Sequence, residues 1–316
     1  MKILLHIQRG VQYLPATISH CAALLAFAAL ILLSQNAKAA SSAANNPLLF
    51  DNAFLQLHGN ATQGGLLQGK LLKGYALKFN SKNIHIDAQR RFLIGLDRDQ
   101  DELVTLGVFD HNKPIANYEL KIEQRDYPRQ HINGVEQKYV EPDPEQVARS
   151  KRDSKAVMTA RQIQQPEATI WQGFIWPAKG PITGVFGSQR VYNGQPRRPH
   201  YGVDVARPAG TPVVAPAAGL ITLADDLYFS GHTLIIDHGH GLSSSFLHLS
   251  RLHVGVNSRV NQGQVIGEIG ATGRVTGAHL DWRMNWTGAG GNAHIDPQLL
   301  VPTMRWPATE TGEKTF

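Results

Sequence analysis

The sequence predicts a mainly β protein: a small β-sandwich-like N-terminal domain, a helical connector and a larger all-β C-terminal domain. Three observations carry this. In the first half, "YALKFN", "RRFLIGL", "LVTLGVF" and "ANYELKI" have the length and alternation of strands, with turn-forming stretches between them. A charge-dense segment beginning near Asp143 carries helix start and stop signals. Beyond Trp171, glycines alternate with valine and isoleucine runs at short spacing, the texture of tight turns between short strands. With 316 residues and 42% hydrophobic content, the chain suffices for about two cores.

Residues 1–39 read as a signal peptide. A basic, acid-free start precedes the apolar "CAALLAFAALILL", and Ala37-Lys38-Ala39 fits a small-x-small cleavage site. The apolar core falls short of the roughly 20 residues that a membrane span needs, so cleavage after Ala39 is expected, with an uncleaved membrane anchor as the alternative. Residues 40–49 form a polar linker. Residues 50–126 form the first β domain, with "GNATQGG" and "DHNKP" as turns. Its His58, His85 and His111 share no ligand spacing and read as surface or internally satisfied histidines. Residues 127–170 are the connector. Asp143 can cap a helix, Pro144 suits its first position and Gln146 completes a capping box. That helix is expected to run to about Gln164, before Pro166, packed on one side through a thin apolar stripe with its charges forming a solvated face. Residues 171–303 make the second β domain and 304–316 a tail.

Export narrows the chemistry. Cys21, the single cysteine, leaves with the leader, which removes disulfides and thiol catalysis from the mature chain. It also precedes the apolar core, which argues against a lipoprotein anchor. Loss of Lys2, Arg9 and Lys38 leaves 28 basic against 25 acidic residues, a net charge of +3. No Lys/Arg block interleaved with aromatics is present, so nucleic acid is excluded as a partner. A weakly basic exported protein suits an anionic polymer outside the cytoplasm, and a periplasmic location is expected.

The second domain holds the informative polar residues. "RRPHYGVDVA" places His200 and Asp204 four apart, "SSSFLHLS" places His248 in an alternating run, and "GAHLDW" separates His279 and Asp281 by one leucine. In extended chain, positions two or four apart share a face. Three such segments in one all-β domain can converge on an ion, and Zn²⁺ takes nitrogen and oxygen ligands, with three protein ligands leaving the fourth position to water. Each spacing alone is weak. Ser243, Ser244 and Ser245 offer no arguable serine-nucleophile geometry.

The ordered set, with its glycine framework, resembles the LytM/lysostaphin-type zinc metallopeptidases, which cut peptide bonds in bacterial peptidoglycan. "WPAKGPITGVFGSQR", "RRPHYGVDVARPAGTPVVAPAAGLI", "IIDHGHGLSSSFLHLS" and "VNQGQVIGEIGATGRVTGAHL" carry the resemblance across essentially all of the second domain. The first domain, with "YPRQHINGVEQKYVEPDPEQVAR", is more loosely similar to the β-rich module preceding this domain in Gram-negative members. The resemblance implies one bound Zn²⁺ held by His200 and Asp204, with His248 and His279 as catalytic histidines. It also implies peptidoglycan as substrate, in a periplasmic member usually at a D-amino-acid cross-link. Arg197 and Arg198 are candidates for meeting substrate carboxylates, with two solvated arginines as the plain alternative. A periplasmic or inner-membrane regulatory partner and a monomeric state are further expectations.

One position departs from the family. The third ligand, the second histidine of the final H-x-H, is Asp281 here. A carboxylate ligates Zn²⁺ at similar distance. Two carboxylates, however, neutralise the ion, polarise its water less, and give harder cations such as Mn²⁺ relative ground. Three readings stay open: a substituted ligand in a working site, an inactive domain acting as a wall-binding regulator of other hydrolases, or replacement by His238, His240 or His294. "GTPVVAPAAGLI" and "VNQGQVIGEIG" are similar in texture to biotinyl and lipoyl carrier hairpins, but this half lacks the Met-Lys pair of such carriers.

Overall fold

The computed structural model describes residues 46–134, 144–162, 165, 169–288 and 291–304. The expected leader and most of the expected linker lie outside them. No helix among the described residues is long and apolar enough to cross a membrane.

The first half contributes β1 (Leu48–Asp51), β2 (Leu55–Gly59), β3 (Leu66–Leu71), β4 (Ala76–Phe79), β5 (Lys82–Asn83), β6 (Arg91–Gly95), β7 (Leu103–Asp110) and β8 (Lys113–Lys121). They form two four-stranded antiparallel sheets, β1-β2-β3-β6 and β5-β4-β7-β8. The four apolar runs of the sequence fall on β4, β6, β7 and β8. In β7, Val104, Leu106 and Val108 alternate inward, as period two requires. β9 (Arg129–Ile132), in a stretch expected as connector, instead pairs in parallel with a strand of the second half.

α1 (Pro144–Gln162) follows; the expected cap Asp143 and end Gln164 lie outside the described residues. The second half contributes β10 (Ile182–Gly184), β11 (Gln189–Tyr192), β12 (Gln195–Pro196), β13 (Gly202–Ala206), β14 (Pro212–Val214), β15 (Gly219–Leu227), β16 (Gly231–Asp237) and β17 (Leu242–Leu249). Then come β18 (Arg251–Leu252), β19 (Arg259–Val260), β20 (Val265–Glu268), β21 (His279–Gly288) and β22 (Gly291–Ile295). The main sheet runs β10-β13-β21-β17-β16-β15-β19, with β22 paired to β21, while β12-β11-β9 and β14-β20-β18 form small sheets beside it.

The main sheet is covered on both faces. One face supplies Val203, Val205, Leu234, Ile236, Phe246, Trp282 and Met284 to the core. α1 lies on the other, where Ala156, Val157 and Ala160 pack on Leu223, Leu227 and Ile235. Two-sided cover explains why all eight residues of β17, three serines included, are buried.

The core is continuous with that of the first half, and the described residues form one compact unit. β6 meets β21 and β22 so closely that a Cβ at Gly95 would stand 2.7 Å from Trp286 Cβ. Polar ties cross the same boundary: Arg98 donates twice to the Gly187 carbonyl (3.1 and 2.8 Å), and Arg125 pairs with Asp296 at 2.8 Å.

Candidate functional site

The helix-covered face of the main sheet also carries the polar cluster. Gly184, Asp204, Asp281 and Leu247 stand opposite one another in a row across β10, β13, β21 and β17. The next row is Gly202, Arg283, Ser245, Ile235 and Leu223. The two glycines make room. A Cβ at Gly184 would sit 2.1 Å from Asp204 Oδ2, and one at Gly202 would sit 2.7 Å from both Asp281 Oδ1 and Arg283 Cγ.

His200 precedes β13 and is anchored to the 187–188 turn, its N–H donating to Ser188 O and its carbonyl accepting from Gly187 N, both at 2.8 Å. Its Nε2 reaches Asp204 Oδ1 at 3.1 Å and Asp281 Oδ1 at 3.4 Å. One ligand atom from each of His200, Asp204 and Asp281 lies within 4.8 Å of the others. His200 Nε2 and Asp204 Oδ1 are sealed from solvent, and neither makes a hydrogen bond of acceptable geometry. Donor atoms that converge on a shared point and leave one another unsatisfied are what a small cation requires, and this donor set fits zinc. Burial works against a charged imidazole, but the carboxylates of Asp204 and Asp281 outweigh it and hold His200 up at about 10, so a cation entering here takes the place of a proton.

His279, at the start of β21, lies 3.9 Å from Asp204 Oδ1 through Nε2, and its ring is 5.0 Å from that of His248. His248 reaches this face by a distortion that alternation does not foresee. The β16–β17 register shifts between His232 and Leu234, and His248 adopts a left-handed φ of 65°. A bulge of this kind re-aims a side chain at a cost in backbone strain. The imidazoles are held from behind: Nδ1 of His248 donates to Thr272 O at 2.9 Å, that of His279 to Gly277 O at 2.9 Å, and that of His200 to Val185 O at 3.3 Å. A carbonyl only accepts, so each Nδ1 carries hydrogen and each Nε2 is left for chemistry. Burial pushes His248 below the ordinary histidine range, favouring its neutral form.

Sequence reading missed Arg283. Its guanidinium grips Asp281, with Nε 3.0 Å from each carboxylate oxygen and Nη2 2.5 Å from Oδ2. Burial would raise the Asp281 carboxyl, yet Arg283 and His200 hold it well below the usual carboxylate range. The signal was available: position 283 shares a face with 281 by period two. Of the two candidate substrate arginines, Arg198 lines a cavity of about 590 Å³ between α1 and this sheet face, whereas Arg197 lies over the Tyr192 ring, 5.4 Å from its centroid.

His238, His240 and His294 do not join the cluster. His238 is buried between Ala218 O and Ser244 Oγ (2.8 Å each), His240 packs on Trp171 and His85, and His294 stacks on Tyr201 and bonds Asp97. Trp282 and Trp286 point away from the cluster into the core. His58, His85 and His111 also stand apart from the metal-type group.

Residues 198–297 match Peptidase family M23. Over 117 residues the chain is 36% identical to the peptidoglycan DD-endopeptidase ShyA of Vibrio cholerae, a match covering 37% of this chain and 27% of that protein. It is 32% identical over 132 residues to the cell division protein DipM of Caulobacter vibrioides, covering 41% of this chain and 21% of that protein. The chain thus spans about a quarter of the length of these relatives. A solved structure of a candidate M23 peptidase from Pseudomonas aeruginosa superposes with a TM-score of 0.57 at 27% identity, covering 76% of this chain and 94% of that one.

Proposed function

We propose, on the premise that this chain carries a Peptidase family M23 domain over residues 198–297, that it is a zinc-dependent endopeptidase cutting peptide bonds in peptidoglycan stems or cross-links. The observation that carries the reading is the convergence of His200, Asp204 and Asp281 on one point, with His200 Nε2 and Asp204 Oδ1 buried there without hydrogen bonds. These three residues would hold the ion. A zinc ion held by them would supply Lewis-acid polarisation to the scissile carbonyl and to a water molecule.

The chain's own groups do the rest. His248, kept neutral by burial and fixed through Thr272, presents Nε2 as the base that takes the water's proton. His279, fixed through Gly277, turns Nε2 to the same space, and with a proton there as well it would donate to the oxygen on which charge develops. Arg283 restores the charge balance that Asp281 alone upsets. Two carboxylates would neutralise a divalent ion, but a guanidinium held on Asp281 returns the site to the net positive charge of a two-histidine, one-aspartate shell. We read 171–303 as the peptidase domain and 50–126 as the N-terminal β module, acting in the periplasm, with a periplasmic or inner-membrane regulatory partner.

Arg283 also favours a second reading. A carboxylate engaged at both oxygens is less available to an ion, and a domain that stays metal-free would act by binding, as a regulator of other wall hydrolases. Digestion of purified cross-linked muropeptides decides between them. Cleavage by the wild type that is abolished by a chelator and by His248→Ala supports the peptidase. Muropeptide binding without cleavage, zinc supplied, supports the regulator.

A further inference from the structure

The cavity between α1 and the sheet face opens beside His248 and carries four arginines, Arg161, Arg198, Arg274 and Arg283. Arg283 is compensated by Asp281. The lining acid on the helix, Asp153, is engaged by the Tyr228 backbone N–H at 2.7 Å. Among the described residues no carboxylate pairs with Arg161, Arg198 or Arg274. Arg198 and Arg274 lie over the rings of Tyr201 and Phe229.

Arg161 is the least expected of the four. It stands in the last turn of α1, four residues after Val157 and hence on the stripe that packs against the sheet. Its Nη2 donates to Ser245 Oγ at 3.2 Å, and Ser245 is the cross-strand neighbour of Arg283. Its Nε is sealed from solvent with no partner. Burial, with Arg283 and Arg198 nearby, brings its pKa down to about 10, the mark of a cation that its surroundings do not compensate. A buried donor without an acceptor destabilises the fold, and a planar guanidinium fork matches a carboxylate in two-point contact.

We infer that Arg161, with Arg198, forms an anion subsite that receives a carboxylate of the peptide substrate and so positions the adjoining bond against His248. The inference rests on the peptidase reading for the identity of its ligand, though not for the existence of the subsite.

The test compares N-acetyl-D-alanyl-D-alanine with its C-terminal amide, on the mature chain and on Arg161→Gln, Arg161→Lys and Arg198→Gln. Binding is followed by titration calorimetry and hydrolysis by product release, and thermal unfolding confirms that each variant folds. Wild type should prefer the acid over the amide by about tenfold or more, as charge-assisted hydrogen bonds to an ion predict. Arg161→Gln should bring the ratio close to one, and Arg161→Lys should recover part of it. Equal treatment of acid and amide by the wild type, or a ratio that survives Arg161→Gln, overturns the subsite even where both peptides are hydrolysed. An acid preference that depends on Arg161, in a wild type that leaves cross-linked muropeptides uncut with zinc supplied, retains the subsite and rejects the peptidase. Inorganic phosphate is the control: Arg161-dependent phosphate binding with no acid preference means a general anion site and also overturns the inference.

Discussion

Replacing Arg283 by methionine removes the guanidinium and keeps much of its apolar stem. Asp281 is 3% exposed and would be left as a buried carboxylate beside Asp204. Breaking a buried pair in this way costs about 3–5 kcal/mol. Because the Arg283 side chain keeps 27% of its exposure, the lower end, about 3 kcal/mol, applies to the metal-free protein. A bound divalent cation would take over much of that compensation, so with saturating zinc the loss should shrink to about 1 kcal/mol. By linkage the variant should then bind zinc about 30-fold more tightly than the wild type, while cleaving more slowly. Urea unfolding of both proteins, with chelator and with zinc, measures the four stabilities. If Arg283→Met is destabilised equally with and without zinc, then Asp281 does not face the ion and the charge-balance reasoning fails.

Three further outcomes are expected. His248→Ala should lose about 10²–10⁴ in kcat with metal content unchanged, since it removes the base and no ligand; elemental analysis beside kinetics checks both parts. Gly184→Ala places a Cβ 2.1 Å from Asp204 Oδ2, so it should displace that carboxylate and weaken zinc by about tenfold or more while the far-ultraviolet spectrum stays unchanged, as competition with a chromophoric chelator would report. His238 is held down at about 4 by burial, with the Ala218 carbonyl partly offsetting. Below its unfolded value near 6.5 the unfolded chain binds the extra proton, so stability present above pH 6.5 is lost as pH falls toward 4, by up to about 3 kcal/mol. Thermal unfolding across that window should show the loss, and His238→Gln should flatten it.

The legible part of the structure was the part governed by period. Alternation in "LVTLGVF" and the buried runs of the second half announced their strands, and the spacing of His279 and Asp281 placed both on one face. The first three strands passed unnoticed because "LQLHG" and "LLQGKL" are short and rich in leucine, a good helix former that gives no strand signal. Arg161 was hidden by composition: in "SKRDSKAVMTARQ" the charges outnumber the apolar residues, and they read together as the solvated face of a helix with only a thin apolar stripe. Only the sheet beneath it shows that the Val157 and Ala160 stripe draws Arg161 into the cavity. His248 could be named but not aimed, because its bulge depends on the partner strand.

Zinc content of the mature protein, purified without added metal beside its Asp281→Ala variant, bears most directly on the proposed site. About one equivalent in the wild type, falling sharply in the variant, is the predicted result. An empty wild type even after zinc is offered, or equal metal in both proteins, would contradict the assignment of Asp281 as a ligand.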